Sequence, residues 1–460
     1  MSNNSTGLAG LSRLGNRTKV WRNWARTQSC QPAYTATPAD SAAVASAIGA
    51  AISAGQKVRP LGAGHSFTPV ATTAGHRIQL DGLSGVVELD RQQNTVTLKA
   101  GTRLRDLPGL LRPLGYALPN QGDVDPQSLA GAISTGTHGT GVGFTGFAGT
   151  VRAFRIIGAD GVEKHCYPGA AGEAGELFRL ARLGLGCFGV ITEVTMDMVP
   201  AFDLRADEHR EDFEEIRRSF AERSYHSDHL EFFWFPGQRE ALVKHNTRVP
   251  AAPSSPARTQ RLRTKFSQAR TFVDEELVGN LGLLAVCELA RAVPAATDTL
   301  NRFATHAVPQ RIYTQPAHEV FVSSRRVRFA EMEYSVPLEA VGEVLDEIRT
   351  VISRRGFQVS FPIEVRATAA DDVALSTAYG RDSGYIAVHR YWKESYREYF
   401  DAIEPIFKAY EGRPHWGKLH TLTASDLAER YPLFDEVVAL RRKLDPEGVF
   451  LNSHLESLLG

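Results

Sequence analysis

Apolar positions along this chain change their spacing near residue 200, and the change predicts two kinds of architecture. In the first part the runs are short. An alanine-rich stretch from Ala42 to Ala54, with Asp40 or Ser41 as its cap, predicts a helix. Lys57-Val58, Arg77 to Leu80, Val86 to Asp90 and Thr95 to Ala100 are parted by Gly and Asn and predict strands. Leu104 to Leu114 and Glu176 to Leu183 have helical spacing, while Gly189 to Val199 alternates as a strand. Val151 to Gly158 and Val162 to Cys166 flank Ala-Asp-Gly as a hairpin.

Beyond Ala201 the elements lengthen. Leu230 to Phe235 and Arg239 to Lys244 predict paired strands, and Val327 to Val336, Pro362 to Thr368 and Tyr385 to Trp392 predict three more. Glu275 to Ala292, Thr297 to His306, Leu338 to Arg354 and Tyr396 to Tyr410 have helical spacing. The expected organisation is a disordered leader over 1–20, a first domain over 21–200 anchored by Trp21 and Trp24, and a second over 201–410. A final segment, 411–460, contains Leu433 to Leu444 and L-D-P-E-G-V-F-L-N and is expected to return to the first domain.

Two stretches break the alternation of elements. Arg59 to Thr68 reads R-P-L-G-A-G-H-S-F-T, placing two glycines, a His and a Ser where a strand opens into a loop. Successive backbone N–H groups in such a loop make a nest for an anion, and Ser66 adds a hydroxyl donor, which suits a pyrophosphate. Alone this is commonly just a turn, and it matches neither G-x-G-x-x-G nor G-K-[ST]. The second stretch, Asn120 to Gly143, is built between Ser128 and Gly143 almost wholly of Gly, Ala, Ser and Thr, with His138 its one large polar residue. It lacks the large apolar side chains of a core element and reads as a loop on which a flat ligand can press against main chain. Two such loops fit one extended dinucleotide better than two unrelated turns.

Composition narrows the partners. Lys plus Arg equals Asp plus Glu, 52 each, so no basic footprint for nucleic acid exists. Hydrophobic content is 43%, ample for cores, and 460 residues exceed what one core usually holds. Cys30, Cys166, Cys187 and Cys287 form no C-x-x-C, which argues against metal or redox pairs and for buried or idle thiols. No run approaches the roughly 20 apolar residues of a spanning helix, and no signal peptide is evident. A cytoplasmic protein is expected, with peripheral membrane contact left open. One segment, Arg248 to Arg270, carries Arg248, Arg258, Arg261, Arg263, Lys265 and Arg270 without an acid. It is expected to be a solvated excursion, with an acidic electron acceptor or a membrane surface as the other reading.

In the second half, P-I-E-V-R-A puts Glu364 and Arg366 on one face of a strand, either a buried ion pair or a site. Y-I-A-V-H-R-Y-W likewise aligns His389 with Tyr391, and R-P-H-W-G-K places Lys418 after a glycine, with His415 and Trp416 as packing neighbours. Together with G-A-G-H-S-F and S-L-A-G-A-I-S-T-G-T-H-G-T-G, that last motif resembles FAD flavoproteins of the vanillyl-alcohol-oxidase type. Within them the chain is similar to the sugar-1,4-lactone oxidase and dehydrogenase branch, from Trp21 to Asn452, with the alditol oxidases close beside it.

The resemblance implies an α+β fold: a two-lobed FAD-binding domain and a cap domain whose antiparallel sheet is backed by helices. It implies FAD bound through His65 covalently and contacted by Leu61, Gly62, Ala63, Gly64, Ser66 and Phe67. The second stretch would add Gly122, Asp123, Ser128, Gly131, Ala132, Thr135, Gly136, Thr137, His138 and Gly139, and Gly189, Val190 and Ile191 would lie near adenine or ribose. Arg366 and Lys418 would stabilise charge on the reduced ring and hold substrate oxygens, Glu364 would orient hydroxyls and hold Arg366, and His389 would be the base. Asp123 and Tyr391 complete the expected substrate contacts, and no metal is expected. The implied activity is oxidation of a secondary alcohol of an aldono-1,4-lactone by hydride transfer to flavin, with an alditol oxidase as the alternative. Further rivals are a reductase fed by NADPH and a non-catalytic flavin carrier. Dioxygen or an acceptor protein or dye would take the electrons, and Gly136, lacking a Cβ, would leave dioxygen a path.

Overall fold

The computed structural model describes residues 19–252, 280–323 and 325–460. The leader therefore falls almost wholly outside the described residues, as does the basic segment beyond residue 252. Strands at Tyr34–Ala36, His76–Gln79 and Val58–Leu61 form a parallel three-stranded sheet in that spatial order. Helix Ser41–Ser53 belongs to the same unit, and Asp40 caps it by accepting from the Ala43 N–H. A second, antiparallel sheet of five strands follows, with Val190–Asp197 at its centre between Val151–Ile157 and Thr95–Lys99.

Two expectations here need correction. Leu104 to Leu114 is not one helix, because Pro108 and Pro113 divide it into a 3-10 turn, a five-residue α-helix and a second 3-10 turn. The small-residue stretch is not a loop throughout: Leu129–Thr135 is a helix, with Ser128 accepting from the Gly131 N–H and left-handed Gly136 at its end. Its Leu129, Ala130, Ala132 and Ile133 are buried, so short side chains serve a helix packed closely on its neighbours.

From Phe202 to Pro414 the chain builds one eight-stranded sheet. Its strands are β1 (Phe202–Asp212), β2 (His229–Trp234), β3 (Glu240–Pro250), β4 (Arg311–Pro316), β5 (Phe329–Pro337), β6 (Ile363–Thr368), β7 (Ser383–Tyr391) and β8 (Arg413–Pro414). The spatial order is β4-β1-β3-β2-β6-β7-β5-β8, with every pair antiparallel. Strand β1 was hidden in the sequence because two of its buried positions are charged: Asp203 accepts from Arg112, and Glu208 from Arg311 and Tyr313. Period-2 alternation then sorts the faces. Met332, Tyr334, Val365 and Ala367 are fully buried, and Tyr334 stacks on Phe407 of helix Arg397–Ala409. Burying a large apolar side chain contributes roughly 1.5–3 kcal/mol, and these residues hold the helical layer to the sheet. Glu331, Glu333, Glu364 and Arg366, which alternate with them, take the other face.

The tail returns to the first sheet. Val58 donates to the Val449 carbonyl, Arg59 to the carbonyls of Phe450, Leu185 and Gly186, and the Asn452 side chain to Pro69 and Thr72. Arg248 is no solvated side chain; its guanidinium lies 3.9 Å from the ring centre of Phe144 and 4.2 Å from that of Phe202, and it donates to His229 Nε2.

Candidate active site

The strand Val58–Leu61 ends in the G-A-G-H-S loop, and this loop forms one wall of a narrow groove. Among the described residues the N–H groups of Ala63, Gly64, His65 and Ser66 have no acceptor, leaving them for a ligand anion. Facing them are Ser128, Gly131, Ser134 and Thr135 of the short helix, and Gly186, Gly189 and Ile191 close the groove. The closeness is built in, since a Cβ on Gly62 would lie 2.2 Å from Ser128 Oγ. Gly64 adopts φ +71° and has Trp21 against its open side.

The groove opens into a wider cavity of about 560 Å³, and His65, Ser66, Gln127 and Thr135 line both. Trp24 stacks on the His65 ring at 5.8 Å. Burial, reinforced by the charges of Lys418 and Arg103, pushes His65 down to about 4, so its imidazole is neutral at neutral pH and keeps a lone pair.

The far wall of the cavity is the charged face of the large sheet. Glu331 and Glu333 of β5 flank the Lys418 ammonium, at 2.5 and 3.9 Å. Arg366 Nη2 lies 2.6 Å from Glu364 Oε1 as an ion pair, and Arg325 Nη2 lies 3.5 Å from Glu364 Oε2. Arg325 also donates from Nε to Asp123 Oδ2 at 2.7 Å, joining the wall to the first half of the chain. Burial alone would raise the carboxyl of Glu331, but Lys418 and His389 outweigh it and hold the group down at about 2. Asp123 is lowered likewise, by Arg325 and Arg366 against the same desolvation.

Leu61, Gly62, Ala63, Gly64, His65, Ser66, Ser128, Gly131, Thr135, Gly189 and Ile191 therefore meet in the groove. Phe67, Gly122, Asp123, Thr137, His138, Arg366 and Lys418 meet in the wider cavity. Other expected contacts do not reach either space. Ala132 and Val190 are fully buried in the core, and Gly139 backs onto Asn120 and Gln121. Gly136 turns toward Leu183, whose Cδ1 would lie 3.1 Å from an added Cβ, so this glycine opens no path into the cavity. Glu364 is buried behind Arg366 and Arg325 and holds those two cations without lining the cavity. His389 stands behind Glu331, its Nδ1 3.0 Å from the Pro362 carbonyl, and Tyr391 points to Glu288, to which its hydroxyl donates. Neither lines the cavity.

Sequence reasoning missed Trp24, Arg325, Glu331 and Glu333. The two acids had a signal: F-A-E-M-E-Y repeats, on an apolar strand, the same-face spacing of E-V-R. Arg325 had none. Ring nitrogens of His138 and His415 and a Glu333 oxygen come within 4.8 Å of one another. The Lys418 ammonium lies 3.9 Å from the same Glu333 carboxylate.

The groove thus fits FAD: a run of free N–H groups for a pyrophosphate, small residues where side chains would obstruct, and a neutral histidine at the junction. The family model for an FAD binding domain matches residues 32–167, and that for D-arabinono-1,4-lactone oxidase matches 194–458. The chain belongs to the D-arabinono-1,4-lactone oxidase family. It is 39% identical to L-gulono-1,4-lactone dehydrogenase of Mycobacterium tuberculosis, over 96% of this chain and 99% of that one. It is 31% identical to L-gulonolactone oxidase of Mus musculus, over 95% and 98%, and 29% identical to alditol oxidase of a Streptomyces species, over 86% and 89%. The fold is that of cholesterol oxidase from B. sterolicum, which superposes with a TM-score of 0.79 over the whole of both chains at 15% identity. Among the described residues no helix is long and apolar enough to cross a membrane.

Proposed function

We propose that this protein is an FAD-dependent oxidoreductase that oxidises a secondary alcohol of an aldono-1,4-lactone of the L-gulono-1,4-lactone type. The observation that carries this reading is the meeting of the backbone groove with the charged wall at His65 and Lys418. FAD, when bound, supplies the acceptor for the carbinol hydride. Ala63 to Ser66 would hold its pyrophosphate through their free N–H groups, and Ser128, Gly131 and Thr135 would pack its flat parts. His65, neutral and at the junction, is the residue for a covalent bond to the flavin.

The wall suits a neutral polyhydroxyl substrate. Lys418 and Arg366 are fixed cations that reach oxygens, and Asp123 and Glu331 are fixed acceptors that reach hydroxyl protons. Cations already held by carboxylates need no reorganisation when charge develops on the substrate oxygen, the condition under which such groups accelerate a reaction. Trp24, Phe67 and Phe329 supply the apolar side that limits water.

Anaerobic mixing with L-gulono-1,4-lactone, xylitol and NADPH in turn tests the reading. The lactone should bleach the flavin fastest. Faster bleaching by xylitol would make the protein an alditol oxidase, and bleaching by NADPH alone a reductase. Acid-precipitated protein should stay yellow and His65→Ala protein should not; colour wholly in the wild-type supernatant would end the covalent assignment.

A further inference from the structure

The charged face of the large sheet does not end at the cavity. Beyond Arg366 it continues over β2, β3 and β1, where directly opposed residues put Phe233, Leu242, Lys244 and Glu208 on the side that carries Glu364. Over them lies a second chamber of about 260 Å³. Ser323, Arg325 and Phe329 line both spaces, so the two meet at a neck. Arg325 is held there by Asp123 and Glu364, and its guanidinium lies 5.8 Å from the ring centre of Phe329.

The chamber holds polar groups with bonding capacity to spare. The Lys244 ammonium stands 4.0 Å from Glu208 Oε1 and 3.7 Å from Glu231 Oε1, beyond hydrogen-bond reach of either, and among the described residues it donates to nothing. Glu208 accepts one bond on each oxygen, from Arg311 and Tyr313, which leaves acceptor sites of its carboxylate open. Burial raises this carboxyl, but Lys244 and Arg311 outweigh it and bring it below its usual range, so it stays an acceptor. The remaining walls are largely apolar, with Phe233, Leu242, Leu283 and Phe361. The charges are matched, Arg325 by Asp123 and Glu364, Lys244 by Glu208 and Glu231. An anion therefore finds no surplus cation, and an apolar ligand would strip water from Lys244 and Glu208 without replacing its bonds. A neutral ring that carries hydroxyls on its edge and C–H groups on its faces meets both demands.

We propose that the second chamber is a subsite for a sugar unit attached to the exocyclic end of the lactone, so that the enzyme acts on glycosylated aldono-1,4-lactones as well as on the free lactone. The inference rests on the oxidation reading above. The reacting carbinol must face the flavin, and the oxygens around it are held by Lys418 and Arg366, which leaves the exocyclic carbons as the end that can cross the neck. Beyond it, hydroxyls of the sugar accept from Lys244 and donate to Glu208, while its C–H face rests on Phe233 and Leu242. Arg325, at the neck, is the cation that both units share.

The test compares L-gulono-1,4-lactone with its 6-O-glucosyl derivative in anaerobic reduction of flavin-loaded enzyme. The dissociation constant of the glucosylated lactone should be lower by about tenfold or more, the contribution of one hydrogen bond to a charged group. Leu242→Trp, which fills the chamber and removes no charge, should abolish that advantage and leave reduction by the plain lactone unchanged. Lys244→Met should lose the advantage as well. Methyl β-D-glucopyranoside, followed by saturation-transfer NMR, should bind wild-type enzyme and not Leu242→Trp. A glucosylated lactone bound no better than the plain one, an advantage that survives Leu242→Trp, or equal slowing of both lactones in that variant would overturn the proposal. If neither lactone bleaches the wild-type flavin, the oxidation reading fails and the substrate role with it. Glucoside binding that Leu242→Trp removes would then still support the chamber as a sugar site, and its absence would end that too.

Discussion

The groove and the wall are built by opposite means. In the groove the working parts are main-chain N–H groups and missing side chains: Gly62 where a Cβ would meet Ser128, and the free amides of Ala63 to Ser66. In the wall they are side chains drawn from strands far apart in the chain. One row crosses five strands as Arg311, Glu208, Lys244, Glu231 and Arg366, alternating in sign, with direct cross-strand partners from Arg311 to Glu231 and Arg366 Nε 4.0 Å from Glu231. A surface of backbone can only cradle. A lattice of paired charges can both orient a substrate and answer charge as it develops, because each ion is held by its neighbours before the reaction starts.

The sharpest break in this contrast is at Glu364. Removing its charge leaves the buried Arg366 with only Glu231, 4.0 Å away, as a carboxylate neighbour among the described residues, while the partly exposed Arg325 keeps Asp123, and losing one partner of a buried pair costs about 3–5 kcal/mol. Glu364→Gln should therefore lower the thermal midpoint markedly, whereas unchanged melting with slower turnover would put Glu364 in the cavity after all. Lys418→Ala should act the other way, keeping flavin while the rate of its reduction by lactone falls about 10²–10³, as for loss of one preorganised donor. Stopped-flow absorbance at the flavin band measures this.

Acid should dissolve the wall before the groove. With the folded Glu331 carboxyl at about 2 against an ordinary 4.5, its contribution to stability is complete above pH 4.5 and drains away as pH falls toward 2. Flavin-free His65→Ala protein should lose tertiary circular dichroism in that window. Lys418→Met, which removes the largest cause holding Glu331 down, should flatten the dependence. The smallest effect belongs to the groove's helix. Gly136→Ala must hold φ near +80°, a strain of about 1–2 kcal/mol, yet touches Leu183 and not the cavity. It should lower stability slightly and leave reoxidation by dioxygen unaltered, which an oxygen electrode checks.

Much of the groove was legible because its chemistry is local. G-A-G-H-S is contiguous, and a run of Gly, Ala and Ser announces close approach wherever it lies. The E-V-R pair was legible for the same reason, two residues on one strand face. Glu331 and Glu333 stood in plain view on a recognised strand, but nothing in F-A-E-M-E-Y says that a lysine more than eighty residues later will sit between them. The sequence also could not show where His389 lies. Sharing a face with Tyr391 could not reveal that Glu331 on β5 would stand before it, or that Tyr391 would reach Glu288.

What the sequence determined by itself is the alternation of elements, the backbone cradle and the presence of an acid–base pair on an apolar strand, since each depends on residues within a few positions of one another. What only the tertiary structure decided is the order β2-β6-β7-β5, which sets Glu364 opposite Ala387 and Ala387 opposite Glu333 and brings Lys418 in from beyond β8. Strand order is fixed by burial of the helix-facing side chains, Met332, Tyr334, Val365 and their partners. The charged face inherits its pattern from a packing that its own residues do not specify.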